Sequence, residues 1–228
     1  MIAHIAYAER SRRAGTFTAH FVPTPPPRLG DLLLCKEPVI ELRSADIRYA
    51  ISLVSIGNPY VFIDAASLGV RTQRELFADD RQLHDTLAAL RTAAADRLGL
   101  PRDSAFVKIA AIGQFHRGRL AVRALSAASW QRTLAFTGAV CLGVARTLPG
   151  TIPYQLAGLA RCRPGKLTID APETATAITA QVSGSGAEDC LLWTSVTRKR
   201  TRQTDAVRVA RRSRARGPLP ARHSPVEV

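Results

Sequence analysis

The residues best placed to do chemistry are Thr137 and Gly138, which open the run TGAVCLGVARTLPGT at positions 137–151. Small and apolar residues fill Ala139 to Ala145, which predicts a helix buried on all sides. Pro149 and Gly150 predict its stop. The first turn of a helix has N–H groups without intrahelical acceptors, and the helix dipole places positive charge there. Such a start can hold a carboxylate or a phosphate. Thr137 would add a hydroxyl, and Gly138 would let a ligand approach the backbone. The same spacing also fits a core helix with an ordinary cap and a Pro-Gly stop. Asn58 is the second polar candidate. Pro59 keeps Asn58 out of the helical region, so its side-chain amide sits at a strand end and can donate to a ligand oxygen. Turn chemistry alone also explains an Asn in Gly57-Asn58-Pro59. His116 has no His, Asp or Glu near it in sequence and reads as a loop residue.

Several elements must position these residues. Residues 51–63 read as strand, turn and strand around Gly57-Asn58-Pro59, and Val39–Leu42 as a short strand before them. Leu83, Leu87, Leu90, Ala94 and Leu98 recur every three or four residues and predict an amphipathic helix. Ala105–Ile112 and Leu120–Leu125 are strand candidates joined by a loop from Gly113 to Arg119. Beyond Thr151, strands are expected at Lys166–Ile169, Ala177–Val182 and Leu191–Val196, separated by Gly- and Ser-rich turns. One buried helix among many short strands predicts an α+β domain in which an antiparallel sheet or barrel wraps the helix. Residues 1–38, with prolines at 23 and 25–27, are expected to be irregular.

Composition narrows the functional classes. The chain is 46% hydrophobic, enough for a real core. No apolar run reaches the roughly 18–20 residues of a membrane span. The N-terminus MIAHIAYAERSRR has its basic residues after the short mixed run, the reverse of a signal peptide, so a cytoplasmic location is expected. Cys35, Cys141, Cys162 and Cys190 are scattered, with no CxxC pair, and are expected to be buried free thiols rather than metal ligands. The net charge is +14, but residues 198–228 hold ten Lys or Arg and only two acids. That stretch carries +8 of the total. The basic extension at 210–228 reads as disordered, and could bind nucleic acid weakly and in a salt-dependent way.

Three blocks together resemble a known family. They are Ser55–Ala65 (SIGNPYVFIDA), Arg123–Ser126 (RALS), and TGAVC through PGT at 137–151. In order and spacing they are similar to the second domain of the PrpF-type isomerases, relatives of diaminopimelate epimerase, over residues 39–209. The family includes 2-methylaconitate isomerase and 4-oxalomesaconate tautomerase. The resemblance implies a diaminopimelate-epimerase-like fold and proton transfer across a three-carbon unit of a small unsaturated di- or tricarboxylic acid. It implies no metal and no organic cofactor. On this resemblance Thr137 and Gly138 bind a substrate carboxylate, Asn58 lines the cleft, and Ser126 lies near the same rim.

The departures from the family are also informative. The family's first domain, with its Gly-Asn-Cys-Gly-Asn helix start and proton-transferring lysine, has no counterpart here. The His expected before TGA is replaced by Gln131 or Arg132. This implies a truncated family member with reduced or no activity alone, needing a homo-oligomer or a partner chain to supply the missing domain. The alternatives are a non-catalytic carboxylate- or partner-binding domain, and a nucleic-acid-associated protein acting through the basic tail.

Overall fold

The computed structural model describes residues 2–10, 16–126 and 129–199. The basic tail at 210–228, the end of the expected domain at 200–209, and Ala127-Ala128 lie outside the described residues. Among the described residues, eleven strands form one sheet: β1 (Ile2–Arg10), β2 (Thr16–Thr24), β3 (Ile40–Ser44), β4 (Ile47–Ile56), β5 (Asn58–Asp64), β6 (Lys108–His116), β7 (Arg119–Ser126), β8 (Ser129–Trp130), β9 (Lys166–Ala171), β10 (Thr174–Val182) and β11 (Leu191–Lys199). The strand order is β1-β2-β11-β10-β9-β7-β6-β5-β4-β3, with β8 added against β7. Most neighbours are antiparallel, but β5 pairs with β6 and β7 pairs with β9 in parallel. Among the described residues there are also four α-helices, α1 (Gln73–Phe77), α2 (Arg81–Arg97), α3 (Phe136–Ala145) and α4 (Ile152–Leu159), and two short 3-10 helices, Leu29–Leu32 and Ala65–Leu68.

The sheet is buried on both faces over β5, β6 and β7. Tyr60, Phe62, Ala110, Ile112, Val122 and Ala124 pack in one cluster with α3 and α4. The residues between them, Val61, Ile63, Ile109, Ala111 and Leu125, pack in a second cluster with α2. Side chains alternate across a strand, so a strand covered on both sides reads as a continuous apolar run. The sequence YVFI at 60–63 is such a run.

Local chemistry fixes the element ends. Gly57 takes φ +102°, which lets β4 turn back into β5 at once, pairing Ile56 with Asn58. Asp80 caps α2 by accepting the N–H of Leu83 at 2.7 Å. Thr72 and Glu75 form a reciprocal capping box on α1.

α3 is central, as expected: every residue from Gly138 to Ala145 is buried. The segment beyond it differs from the sequence reading. The helix ends at Ala145, and Thr151 caps a second helix, α4. The Thr151 hydroxyl reaches the carbonyls of Ala145 at 2.6 Å and Leu148 at 2.9 Å, and accepts the N–H of Tyr154 at 3.3 Å. Thr151 with Pro153 two residues on is a helix-start signal, so the Pro-Gly stop is a corner between two helices. The expected loop at Gly113–Arg119 is also corrected. β6 runs on to His116, and only Arg117 and Gly118 separate it from β7.

The irregular segment expected at 1–38 is corrected too, because residues 2–10 and 16–24 are strands. β2 pairs antiparallel with β11, and the Thr18 hydroxyl meets that of Thr197 at 2.8 Å. Pro23 lies past the last β2–β11 pair, Phe21 with Thr194, so its missing N–H breaks nothing in that ladder. Phe17 and Phe21 lie against Phe136 at the start of α3, with ring centroids 5.4 and 6.3 Å away. The N-terminal strand therefore helps enclose the central helix.

Candidate functional site

Strand register brings three polar residues to one edge of the sheet. Tyr60 of β5 is the partner of Lys108 of β6, and Ile109 is the partner of Leu125 of β7. Asn58 opens β5, Lys108 opens β6 and Ser126 closes β7. Each lies two residues from a side chain packed on the α3 side: Tyr60, Ala110 and Ala124. The two-residue period therefore puts Asn58, Lys108 and Ser126 on the sheet face that carries α3 and α4. The Lys108 Nζ donates to the Ser126 Oγ at 2.6 Å. Partial burial, and secondly the nearby charge of Arg91, lower the Lys108 pKa below the usual lysine value.

The start of α3 packs against β5. Gly138 lies against the Tyr60 ring, and the Cys141 thiol donates to the Val54 carbonyl at 3.4 Å. Ala135 occupies the N-cap position, and no side chain caps the helix. The first intrahelical bond is from Ala139 N–H to the Ala135 carbonyl at 2.9 Å. The N–H groups of Phe136, Thr137 and Gly138 precede it and are the ones a helix start offers to an anion. Thr137 is exposed beside them. One cation lies beside the region: the buried Arg198 of β11 donates to the Leu134 carbonyl with its guanidinium 4.5 Å from the Phe136 ring centre. Arrayed amides with a cation beside them favour an anionic ligand.

Gly138 has a packing role that the sequence reading did not foresee. A Cβ there would lie 2.4 Å from the Tyr60 hydroxyl. The hydrogen of Gly138 thus makes room for a tyrosine. Burial pushes the Tyr60 hydroxyl well above its usual pKa, and its oxygen has no hydrogen-bond partner among the described residues. Cys141 is fully buried, and burial pushes its thiol up to about 12. It carries no thiolate at neutral pH. Cys35, Cys162 and Cys190 are only half-buried, contrary to the expectation of four buried thiols.

Gln131 and Arg132, which occupy the positions where the family resemblance led us to expect histidine, are engaged structurally. The Gln131 Oε1 accepts the Ala135 N–H at 3.2 Å and so shapes the turn into α3. Arg132 pairs with Glu173 at 3.2 Å. Two surface cavities lie elsewhere. One of about 540 Å³ is lined by Ser44, Arg81 and Asp85, and one of about 620 Å³ by Arg146, Tyr154 and Cys162. Among the described residues no group of His, Cys, Asp or Glu has metal-binding geometry, and no helix is long and apolar enough to cross a membrane.

The strand register thus places Asn58, Lys108 and Ser126 at one end of one sheet face, while Gly138 of α3 packs against Tyr60, two residues from Asn58, and Thr137 is exposed beside it. Lys108 is the residue that sequence reasoning missed. Its signal was a lone cation opening an otherwise apolar strand, which a surface-exposed strand end explains equally well without the register.

The family described as PrpF protein matches residues 20–209. This begins within β2, earlier than the boundary at residue 39 expected from the motifs. No curated protein matches the chain. Among solved structures, a methylitaconate-delta-isomerase is similar with a TM-score of 0.61 and 17% identity, over 86% of this chain and 59% of that one. A hydroxyproline epimerase from Agrobacterium vitis, with bound trans-4-hydroxy-L-proline, gives 0.53 and 14%, over 84% and 53%. A probable proline racemase from Agrobacterium radiobacter, with bound carbonate, gives 0.52 and 12%, over 80% and 50%. The fold is thus that of the diaminopimelate-epimerase-like isomerases and racemases. The chain spans between half and about three-fifths of the length of these structures.

Proposed function

Because the chain belongs to the PrpF protein family, we propose that it is an isomerase-type protein that binds a small unsaturated di- or tricarboxylic acid at the start of α3 and shifts a proton along it. Thr137 and the first-turn amides of α3 hold one carboxylate, and Asn58 and Ser126 border the same space. The observation that supports this reading is the uncapped start of α3, whose Gly138 packs against Tyr60, with Asn58, Lys108 and Ser126 at one end of the same sheet face. Removing a proton next to a carboxylate builds negative charge on the substrate. A helix N-terminus and neighbouring cations stabilise that charge without a metal.

Charge stabilisation weakens in contact with water, so a second copy or another chain packed over the start of α3 would raise the activity of this site. The basic tail takes no part in this reading.

The test is thermal unfolding of the full chain with citrate, cis-aconitate or mesaconate. An acid at 100 times its dissociation constant adds about 2.7 kcal/mol of stability. We expect a selective rise in melting temperature that disappears in Thr137→Val. A folded protein whose melting temperature none of these acids moves would refute the reading.

A further inference from the structure

We propose that Lys108 is the proton-transferring residue of this site and that Ser126 is its positioning residue; this rests on the proposed carboxylic-acid isomerase reading. The geometry is specific. Lys108 is the first residue of β6, on the sheet face that carries α3 and α4, and its partner across the parallel pair is Tyr60, which touches Gly138 in the first turn of α3. Tyr60 thus links the strand pair that carries Lys108 to the first turn of α3, where an anion would lie.

Its hydrogen bonding suits a mobile proton. The Nζ donates to the Ser126 hydroxyl at 2.6 Å, and among the described residues Lys108 makes no ion pair. A carboxylate partner would stabilise the ammonium form and keep it from acting as a base; a serine hydroxyl fixes the amine's position without adding charge. Partial burial and the charge of Arg91 both favour the neutral amine over the ammonium ion.

The step balances within the substrate and the side chain. The neutral Lys108 amine takes a proton from the carbon next to the double bond. That C–H bond breaks, and its electron pair moves into the conjugated carboxylate, where the first-turn amides of α3 meet the charge. The resulting ammonium returns the proton to the far carbon of the three-carbon unit. The double bond shifts by one position, and the amine is regenerated without an oxidant or a reductant.

The test follows exchange of substrate C–H for C–D by proton NMR, with the full chain in deuterated buffer and mesaconate or cis-aconitate as probe. Melting temperatures are recorded on the same samples. Wild-type protein should exchange the probe, with a rate that rises with pH and levels off below the usual lysine pKa. Lys108→Arg and Lys108→Met should both lose exchange by about 100-fold or more, as expected for a missing general base, while Lys108→Arg keeps the ligand-induced rise in melting temperature. Ser126→Ala should exchange more slowly and level off at a different pH, a change that loss of packing alone would not cause. If the acid raises the melting temperature but exchange is absent, or persists in both Lys108 variants, the role of Lys108 is overturned and the binding site stands. If no acid binds and none exchanges, both readings fall together.

Discussion

Gly138→Ala tests the packing that places the start of α3. The added methyl would lie 2.4 Å from the Tyr60 hydroxyl oxygen, 2.8 Å from Tyr60 Cζ and 2.9 Å from Leu134 Cδ1. Neither neighbour can retreat easily. Tyr60 is fully buried and stacks on Phe62 at 5.3 Å, and Leu134 is buried. Two effects oppose each other. Alanine is favoured over glycine inside a helix by about 1 kcal/mol, whereas overpacking a filled core costs about 1–3 kcal/mol. Contacts this short put the cost at the upper end, so the net loss should be about 1–2 kcal/mol. At roughly 2–4 °C per kcal/mol for a chain of this size, the melting temperature falls by several degrees. Gly158→Ala in α4 is the internal control. It is exposed, with nothing within 4 Å of an added Cβ, so it should gain up to about 1 kcal/mol. Tyr60→Phe removes the closest contact but leaves the ring carbon, so it should rescue part of the loss, with a coupling on the order of 0.5–3 kcal/mol. Urea unfolding of the single and double variants, compared at unchanged m-value, measures all three terms. If Gly138→Ala proves as stable as wild type, the close approach of α3 to β5 is wrong, and with it the placement of the helix start against Tyr60.

Two further predictions concern the core beneath the rim. The Cys141 thiol stays protonated in the folded chain up to about pH 12, while the unfolded thiol ionises near 9. Its contribution is therefore fully present below pH 9 and is lost as pH rises from 9 to 12, at no more than about 1.4 kcal/mol per pH unit. Cys141→Val should flatten the fall between pH 9 and 10, below the range where Tyr60 adds its own effect, and equal slopes for variant and wild type would refute this. Ser52 is fully buried, donates to the Pro38 carbonyl at 2.6 Å and accepts the Ile152 N–H at 2.9 Å. Ser52→Ala leaves both backbone groups short of a partner and should cost about 1–3 kcal/mol in urea unfolding; a loss under about 0.5 kcal/mol would show that the β4–α4 link is unimportant.

Local patterns were legible because their causes are local. The buried helix α3 shows in its unbroken run of small and apolar residues, and α2 shows in its leucine spacing. The β4–β5 turn shows in Gly57-Asn58-Pro59, since a glycine with positive φ and a proline with fixed φ act within three residues. The α+β class follows from one such helix among many short strands. Where the reading failed, a local signal was overridden or outweighed. Pro149-Gly150 suggested an end to helix, and the Thr151 cap with Pro153 started another. The prolines at 23 and 25–27 suggested irregular chain, although β2, which includes Pro23, is held by β11 from late in the sequence.

The site itself is a product of the tertiary structure. The amino-acid sequence could nominate Asn58, Thr137 and Gly138 one by one, because each has a recognisable backbone role near a turn or a helix start. It could not place them together, since nothing in a strand's own residues says which strand lies beside it or in what register. The pairing of Tyr60 with Lys108 and the bond from Lys108 to Ser126 depend on that register. A shift of one residue in β6 would turn Lys108 to the α2 side of the sheet and away from α3. The sequence thus determined the helix start and the turns, which depend on neighbours along the chain. The tertiary structure decided that a lysine, a serine and an asparagine from three strands lie at one end of the sheet face that carries α3 and α4, because burial of both sheet faces specifies the register.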